Sequence, residues 1–268
     1  ATQSTRAEPI YLRELLDFAE RAYRRPLTAK ERGALQKFYT GIHQQVQFNV
    51  ERAVRAGIVS VLVSPHFCYR IDVPPPGETV KPLPDVAFAS RLSYFLWSSM
   101  PDAELLELAK AGKLNNERAI REQTHRMLKD PRVSGFALEF FGQWLRYRDF
   151  IEQESVNRDV FPTFDDELRQ AMFEEPTRLA THLIQNDLPV TDLLSGDETF
   201  VNQKLAQHYG LPFRGAENQW EKASGMQQRD RGGLLGMAVF LTKNSQPQRT
   251  SPVKRGFWVV HKLLGEHI

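Results

Sequence analysis

The stretch Phe88-Ala89-Ser90-Arg91-Leu92-Ser93-Tyr94-Phe95-Leu96-Trp97-Ser98-Ser99-Met100-Pro101-Asp102-Ala103-Glu104-Leu105-Leu106 decides the fold. Phe88, Leu92, Phe95 and Leu96 recur at spacings of three and four, the period of one buried helix face. The pattern stops at Trp97-Ser98-Ser99. Pro101-Asp102 then opens a second helix carrying Leu105, Leu106 and Leu108, and Gly112 supplies its stop. This rhythm of helix, short break and helix runs along the whole chain, with few β-branched alternations. The fold class is mainly α: a multi-helix bundle in which a small N-terminal helical sub-domain precedes a larger helical domain.

Working toward the N-terminus, residues 1–72 read as a three-helix sub-domain. Ala1 to Pro9 is a polar, solvated lead-in without a signal-sequence pattern. Leu12, Leu15, Leu16, Ala19 and Tyr23 mark a helix over 10–24 that Pro26 ends. Thr28 with Glu31 forms a capping-box pattern for a second helix, with Leu35, Phe38 and Tyr39 on one face. Val50, Val54, Ile58, Val61 and Leu62 mark a third over 46–64, and His66 to Arg70 follows Pro65 as a short extended piece. Residues 73–84 are a proline-rich linker, because proline forbids helix and favours extended chain.

Residues 85–192 form a central helical bundle. It holds helices over 116–129 and 133–147, the latter rich in Phe136, Phe140, Phe141, Trp144 and Tyr147. A long amphipathic stretch over 164–186 follows, in which Pro176 should kink or split the helix. Residues 193–268 are a loop-rich helical segment packed on that bundle. Its parts are a short helix from Phe200 to His208 stopped by Gly210, a loop over 211–229, and a final helix from Pro252 to Leu264.

Composition narrows the function classes. The 268 residues carry 35 Lys+Arg against 33 Asp+Glu, a net charge of +2, which gives no reason to expect nucleic acid as partner. With 41% hydrophobic and 25% charged residues the chain can bury a core. No apolar run approaches the roughly 18–20 residues of a transmembrane helix. The single cysteine, Cys68, can form neither an internal disulfide nor a Cys-x-x-Cys-His haem attachment.

The strongest chemistry-bearing cluster is basic. Arg231 opens the Gly232-Gly233 turn, where glycine lets backbone approach a ligand closely. Arg249, Thr250 and Ser251 precede Pro252, which suits a helix start, and Lys254 and Arg255 fall in its first turn. Together with Asn202 these residues are a candidate ligand or anion site built on free N–H groups, hydroxyls and cations. The plainer reading is an ion-pair network tying the last helix to the body. No complete phosphate loop, His-Glu-x-x-His pair or nucleophile elbow occurs, and no metal ligand set is assigned. His66, beside an aromatic segment, and His208, at a helix end, are the histidines to watch for haem or metal contact. The aromatic runs read mainly as core, with Arg91 among them requiring a partner. Glu174 and Glu175 are adjacent and so point apart on a helix, which leaves paired-carboxylate chemistry without support, and Asp165 reads as a helix cap.

Several segments in order resemble one group of proteins. They are Ala22 to Thr28, Ser64 to Arg70, Ala89 to Asp102, Gln143-Trp144-Leu145, Phe161-Pro162, Arg231 to Leu235 and Arg249 to Gly256. The set resembles planctomycete-type domains of unknown function that accompany c-type cytochrome domains in large exported bacterial proteins. Two positions depart from that pattern: Cys68 stands where leucine is common, and Pro176 interrupts a helix that relatives continue. The resemblance implies an extracytoplasmic place and a helical scaffold or interaction module. Its partners would be neighbouring domains of a larger chain or a c-type cytochrome. No cofactor is expected within the segment, and any c-type haem would sit in a neighbouring domain or partner. Two alternatives stay open: an oxidoreductase domain exchanging electrons with an external c-type haem, and an anion- or glycan-binding module using the C-terminal Arg-rich turn.

Overall fold

The computed structural model describes residues 2–45, 49–70, 82–153, 156–216 and 218–266. The proline-rich linker assigned to 73–84 lies outside the described residues up to position 81. The chain is mainly α-helical, with one two-stranded sheet among the described residues. Its helices gather into two compact units, Ala1–Phe95 with Ser99–Thr124 and Leu96–Ser98 with His125–Ile268.

In the first unit, α1 (Thr2–Tyr23), α2 (Ala29–Gln45) and α3 (Val50–Leu62) form a bundle around Leu15, Tyr39 and Ala53. α1 begins at Thr2, so the stretch expected to be a solvated lead-in is helical; Gln3, Arg6, Ala7 and Glu8 are good helix formers. The capping box is present, with the Thr28 N–H donating to Glu31 at 2.8 Å and the Glu31 N–H to the Thr28 hydroxyl at 3.3 Å. α3 buries Ala53, Gly57 and Val61, while Ile58 and Leu62 face solvent. The small residues let α1 come close: a Cβ on Gly57 would stand 2.5 Å from Leu15 Cδ2.

The piece expected to be extended after Pro65 begins as a helical turn, α4 (Pro65–Cys68). The Ser64 hydroxyl caps the His66 N–H at 3.3 Å and Pro65 occupies the first position, a helix-start signal. Arg24, buried with φ +59°, ends α1 and donates to the carbonyls of His66 (2.8 Å), Phe67 and Tyr69 (3.3 Å each). α5 (Asp85–Trp97), α6 (Ala103–Lys110, capped by Asp102) and α7 (Glu117–Lys129) follow the expected boundaries closely. Arg91 is exposed on α5.

In the second unit the aromatic stretch after residue 133 is not one helix. α8 (Ser134–Phe136), a π-helical turn over Ala137–Phe141 and α9 (Gly142–Trp144) succeed one another. The wider turn changes the helical phase, so Phe141 and Leu145 are buried while Phe140 and Trp144 are exposed. α10 (Asp166–Gln185, capped by Asp165) is the central element and runs on past Pro176. Pro176 removes one N–H from the ladder, yet its ring is buried among Met172, Leu179 and Ala180.

α11 (Asp192–Ser195) leads to β1 (Thr199–Val201), which pairs antiparallel with β2 (Glu221–Ala223). Phe200 and Val201, expected to open a helix, belong to the strand Thr199–Val201 because β-branched and aromatic side chains suit a half-buried sheet. The helix α12 (Gln203–Tyr209) starts after it, with Asn202 as cap and Gly210 as left-handed stop. α13 (Ala238–Lys243) and α14 (Pro252–Trp258, continuing as a π turn to Leu263) close the unit. Two indoles fasten this end. Trp258 donates to the carbonyl of Leu145 at 2.8 Å, and Trp144 donates to that of Lys262 at 2.7 Å. No helix among the described residues is long and apolar enough to cross a membrane.

Candidate functional site

The most unusual group in the second unit is a carboxyl on the buried face of α10. Leu168, Ala171, Met172, Glu175 and Leu179 repeat at helical spacing and all are buried, so Glu175 occupies a core position. It is 1% exposed. The Thr199 hydroxyl from β1 donates to its Oε1 at 2.7 Å, and the Tyr209 hydroxyl from the end of α12 donates to its Oε2 at 2.6 Å. Tyr209 accepts in turn the first N–H of α13, that of Ala238, at 2.8 Å. α10, β1 and α12 thus meet on one carboxyl, and α13 is tied to it through Tyr209. Arg231 lies over the Tyr209 ring with its guanidinium carbon 4.5 Å from the centroid, and donates to the carbonyl of Gly236 at 3.1 Å.

Burial pushes the Glu175 carboxyl up to about 7, against the Tyr209 and Thr199 hydrogen bonds and the Arg231 charge, which hold it down. Burial and the neighbouring Glu175 charge raise Tyr209 well above the ordinary phenol range. His208 is lowered by desolvation and by the Arg231 charge. The arrangement can take up or release a proton near neutrality inside a closed hydrogen-bonded shell. Its neighbour Glu174 does point away, as the spacing indicates. It pairs with Arg178 at 2.8 Å beside an open groove of about 710 Å³ between α8 and α10, and Arg178 stacks over Trp220 at 4.2 Å.

The residues of the basic cluster are divided among different tasks. Asn202 caps α12, accepting the Leu205 N–H at 3.0 Å, and borders a separate groove with Asp166 and Glu167. Arg231 belongs to the Glu175 network. Gly232 and Gly233 pack against the end of α11: Gly233 has φ +65°, and a Cβ there would stand 2.1 Å from the Leu194 oxygen. Arg249 is exposed in a tight turn, with its carbonyl accepting the Gln246 N–H at 2.9 Å, and Thr250 beside it is also exposed. Ser251 caps α14, accepting the Lys254 N–H at 3.4 Å. Lys254 and Arg255 do come together, at Ser245. The Arg255 guanidinium donates to the carbonyl of Leu241 at 3.3 Å and to the Ser245 hydroxyl at 3.2 Å, and Lys254 reaches the Ser245 carbonyl at 3.5 Å. These carbonyls form the negative end of α13, where cations are favoured.

Of the two histidines, His66 is in the first unit, beside a cavity of about 570 Å³. Its Nε2 is 3.1 Å from Glu31 Oε1 and its ring lies 5.3 Å from that of Tyr23. His208 is in the second, its ring 5.6 Å from Tyr209. Among the described residues no three His, Cys, Asp or Glu side chains gather as a metal-holding group.

Three protein-family models match consecutive parts of the chain. Residues 12–72 match PSD5, a protein of unknown function (DUF1595). Residues 83–211 match PSD4, a protein of unknown function (DUF1592), and residues 231–268 match PSCyt3, a protein of unknown function (DUF1588). In these three segments the chain is similar to planctomycete-type domains of unknown function. No curated protein and no solved structure matches it. The PSD5 segment supplies the α1–α4 bundle of the first unit. The PSD4 and PSCyt3 segments share the second core: Glu175, Thr199 and Tyr209 come from PSD4, and Arg231 and Ala238 from PSCyt3. The paired indoles cross the same join, Trp144 from PSD4 and Trp258 from PSCyt3.

Arg231 stands out in the sequence as a cation beside two glycines, whereas Glu175, Thr199 and Tyr209 do not. The available signal is a glutamate at a core position of the α10 stripe, which demands partners that only the fold can supply.

Proposed function

We propose that the chain is a helical interaction module of a larger exported protein that works alongside a c-type cytochrome. The observation that carries this reading is how the conspicuous cations are used. Arg231 is committed to the carbonyl of Gly236 in its own loop, and Arg255 joins α14 to the carbonyl of Leu241 on α13. The buried Glu175 likewise joins α10, β1 and α12 in one core, and α13 through Tyr209. Groups that would have marked a reaction centre act as fasteners, which leaves the outer faces of the helices to meet a neighbour. The resemblance to cytochrome-accompanying domains gives that neighbour its chemistry, with the haem carried by the neighbouring domain or partner.

The test is to titrate the purified chain into a reduced c-type cytochrome, following association by sedimentation and the haem by its reduced absorbance. Saturable association with the reduced band unchanged is the expected result. Loss of the reduced band on mixing would make the chain an electron-exchanging domain instead. Absence of association would remove the cytochrome from the reading.

A further inference from the structure

The last helix of the second unit leaves one face uncovered. Val253 is 82% exposed and Phe257 55%. Val253 and Phe257 are one helical turn apart and project together. Phe140 and Trp144, also exposed, have their rings 5.9 Å apart, and the Trp144 indole bonds the backbone of this same helical segment at Lys262. Single exposed apolar residues are ordinary, but a cluster of this kind on two joined elements marks a place of contact.

The charge along the last part of the chain has one sign. Residues 231–265 contain six Lys and Arg and no Asp or Glu. Lys243 is paired with Asp149, and Arg231 and Arg255 are held by carbonyls. Arg249, Lys254 and Lys262 bond no carboxylate among the described residues.

We infer that this face docks an acidic protein surface that carries apolar side chains of its own. The inference deepens the interaction-module reading and rests on it. Apolar burial would supply attraction, and Arg249, Lys254 and Lys262, which pair with no carboxylate among the described residues, would select acidic partners and speed encounter. Exposed aromatic rings with arginine nearby match the composition of protein interfaces. The two indole hydrogen bonds fix the backbone beneath the face, so little ordering is needed on binding. A second copy of this face would bring like charges together and is disfavoured by the same argument.

The probe is a synthetic amphipathic helix with Leu and Phe on one face and Glu on the other. Its twin carries Lys in place of Glu, and vesicles of phosphatidylcholine with phosphatidylserine form a third arm. The expected result is that the Glu peptide binds and weakens as salt rises, while the Lys twin does not bind. The double variants Val253→Ser/Phe257→Ser and Lys254→Glu/Lys262→Glu should each lose about tenfold in affinity. All four side chains lie outside the core, and an unchanged thermal melt of each variant checks that folding is intact. Equal binding of both peptides, undiminished binding by both variants, or attachment to vesicles in preference to the Glu peptide would overturn the inference. Repeating the cytochrome titration with the variants separates the two readings. Cytochrome association that survives both variants keeps the module and removes this face. Peptide binding that the variants abolish, without cytochrome association, keeps the face and removes the cytochrome.

Discussion

Glu175 links stability to pH in the direction opposite to most carboxylates. Its folded value of about 7 lies above its ordinary 4.5, so the folded state holds a proton that the unfolded chain releases. The stabilisation from the neutral carboxyl is complete below 4.5 and is lost as pH rises through 7. Glu175→Gln keeps an oxygen to accept from Tyr209 and an amide to donate to Thr199, and it cannot ionise. We expect the variant to match the parent near pH 4.5 and to be more stable by roughly 3 kcal/mol at pH 8. Urea unfolding of both proteins at the two pH values checks this; parallel curves would show that the carboxyl does not titrate in the core. Gly233 is the second position where one atom matters. With φ +65° and the Leu194 oxygen 2.1 Å from where a Cβ would stand, Gly233→Ala should cost about 3 kcal/mol or more, read from the same unfolding curves. The sequence marks Gly233 as special but suggests a ligand, whereas the close neighbour is the chain's own backbone.

At the scale of elements, the paired indoles give a graded expectation. Trp258 is buried, so Trp258→Phe strands the Leu145 carbonyl away from water and should cost about 2 kcal/mol. Trp144 is exposed, water can replace its bond to Lys262, and Trp144→Phe should cost about 0.5 kcal/mol. Equal losses in denaturant titrations would contradict the burial argument. Ser251→Ala removes the cap of α14 and should cost about 1 kcal/mol by the same measurement. Caps of this kind can be legible in sequence because donor and acceptor lie within three residues: Thr28 with Glu31, Asp102 and Asp165 stand at the expected helix starts, whereas Asn202 and Ser251, expected as ligand groups, also act as caps. The strand β1 is not legible in the same way, because Thr199–Val201 becomes strand through pairing with Glu221–Ala223, some twenty residues on.

The whole chain divides its reporters unevenly. All four tryptophans, Trp97, Trp144, Trp220 and Trp258, belong to the second unit, while both units are helical. Each unit has its own buried cluster, around Leu15 and Tyr39 in the first and around α10 in the second. Tryptophan fluorescence should therefore follow the second unit alone, and far-ultraviolet circular dichroism should follow both. We expect the two probes to give different denaturation midpoints; coincident transitions would show a single cooperative unit.

The sequence by itself determined the helical class, most helix boundaries and the caps. Those depend on periodicity and on hydrogen bonds between near neighbours, and both are written locally. Tertiary structure alone decided that Glu175, Thr199, Tyr209 and Arg231 share one site, and that Arg255 serves the end of α13. It also decided which rings of the 136–147 stretch are buried, because a single π turn changes the phase of every residue after it. A buried charge finds its partner by proximity in space, and proximity between residues far apart in the chain exists only after the helices have packed.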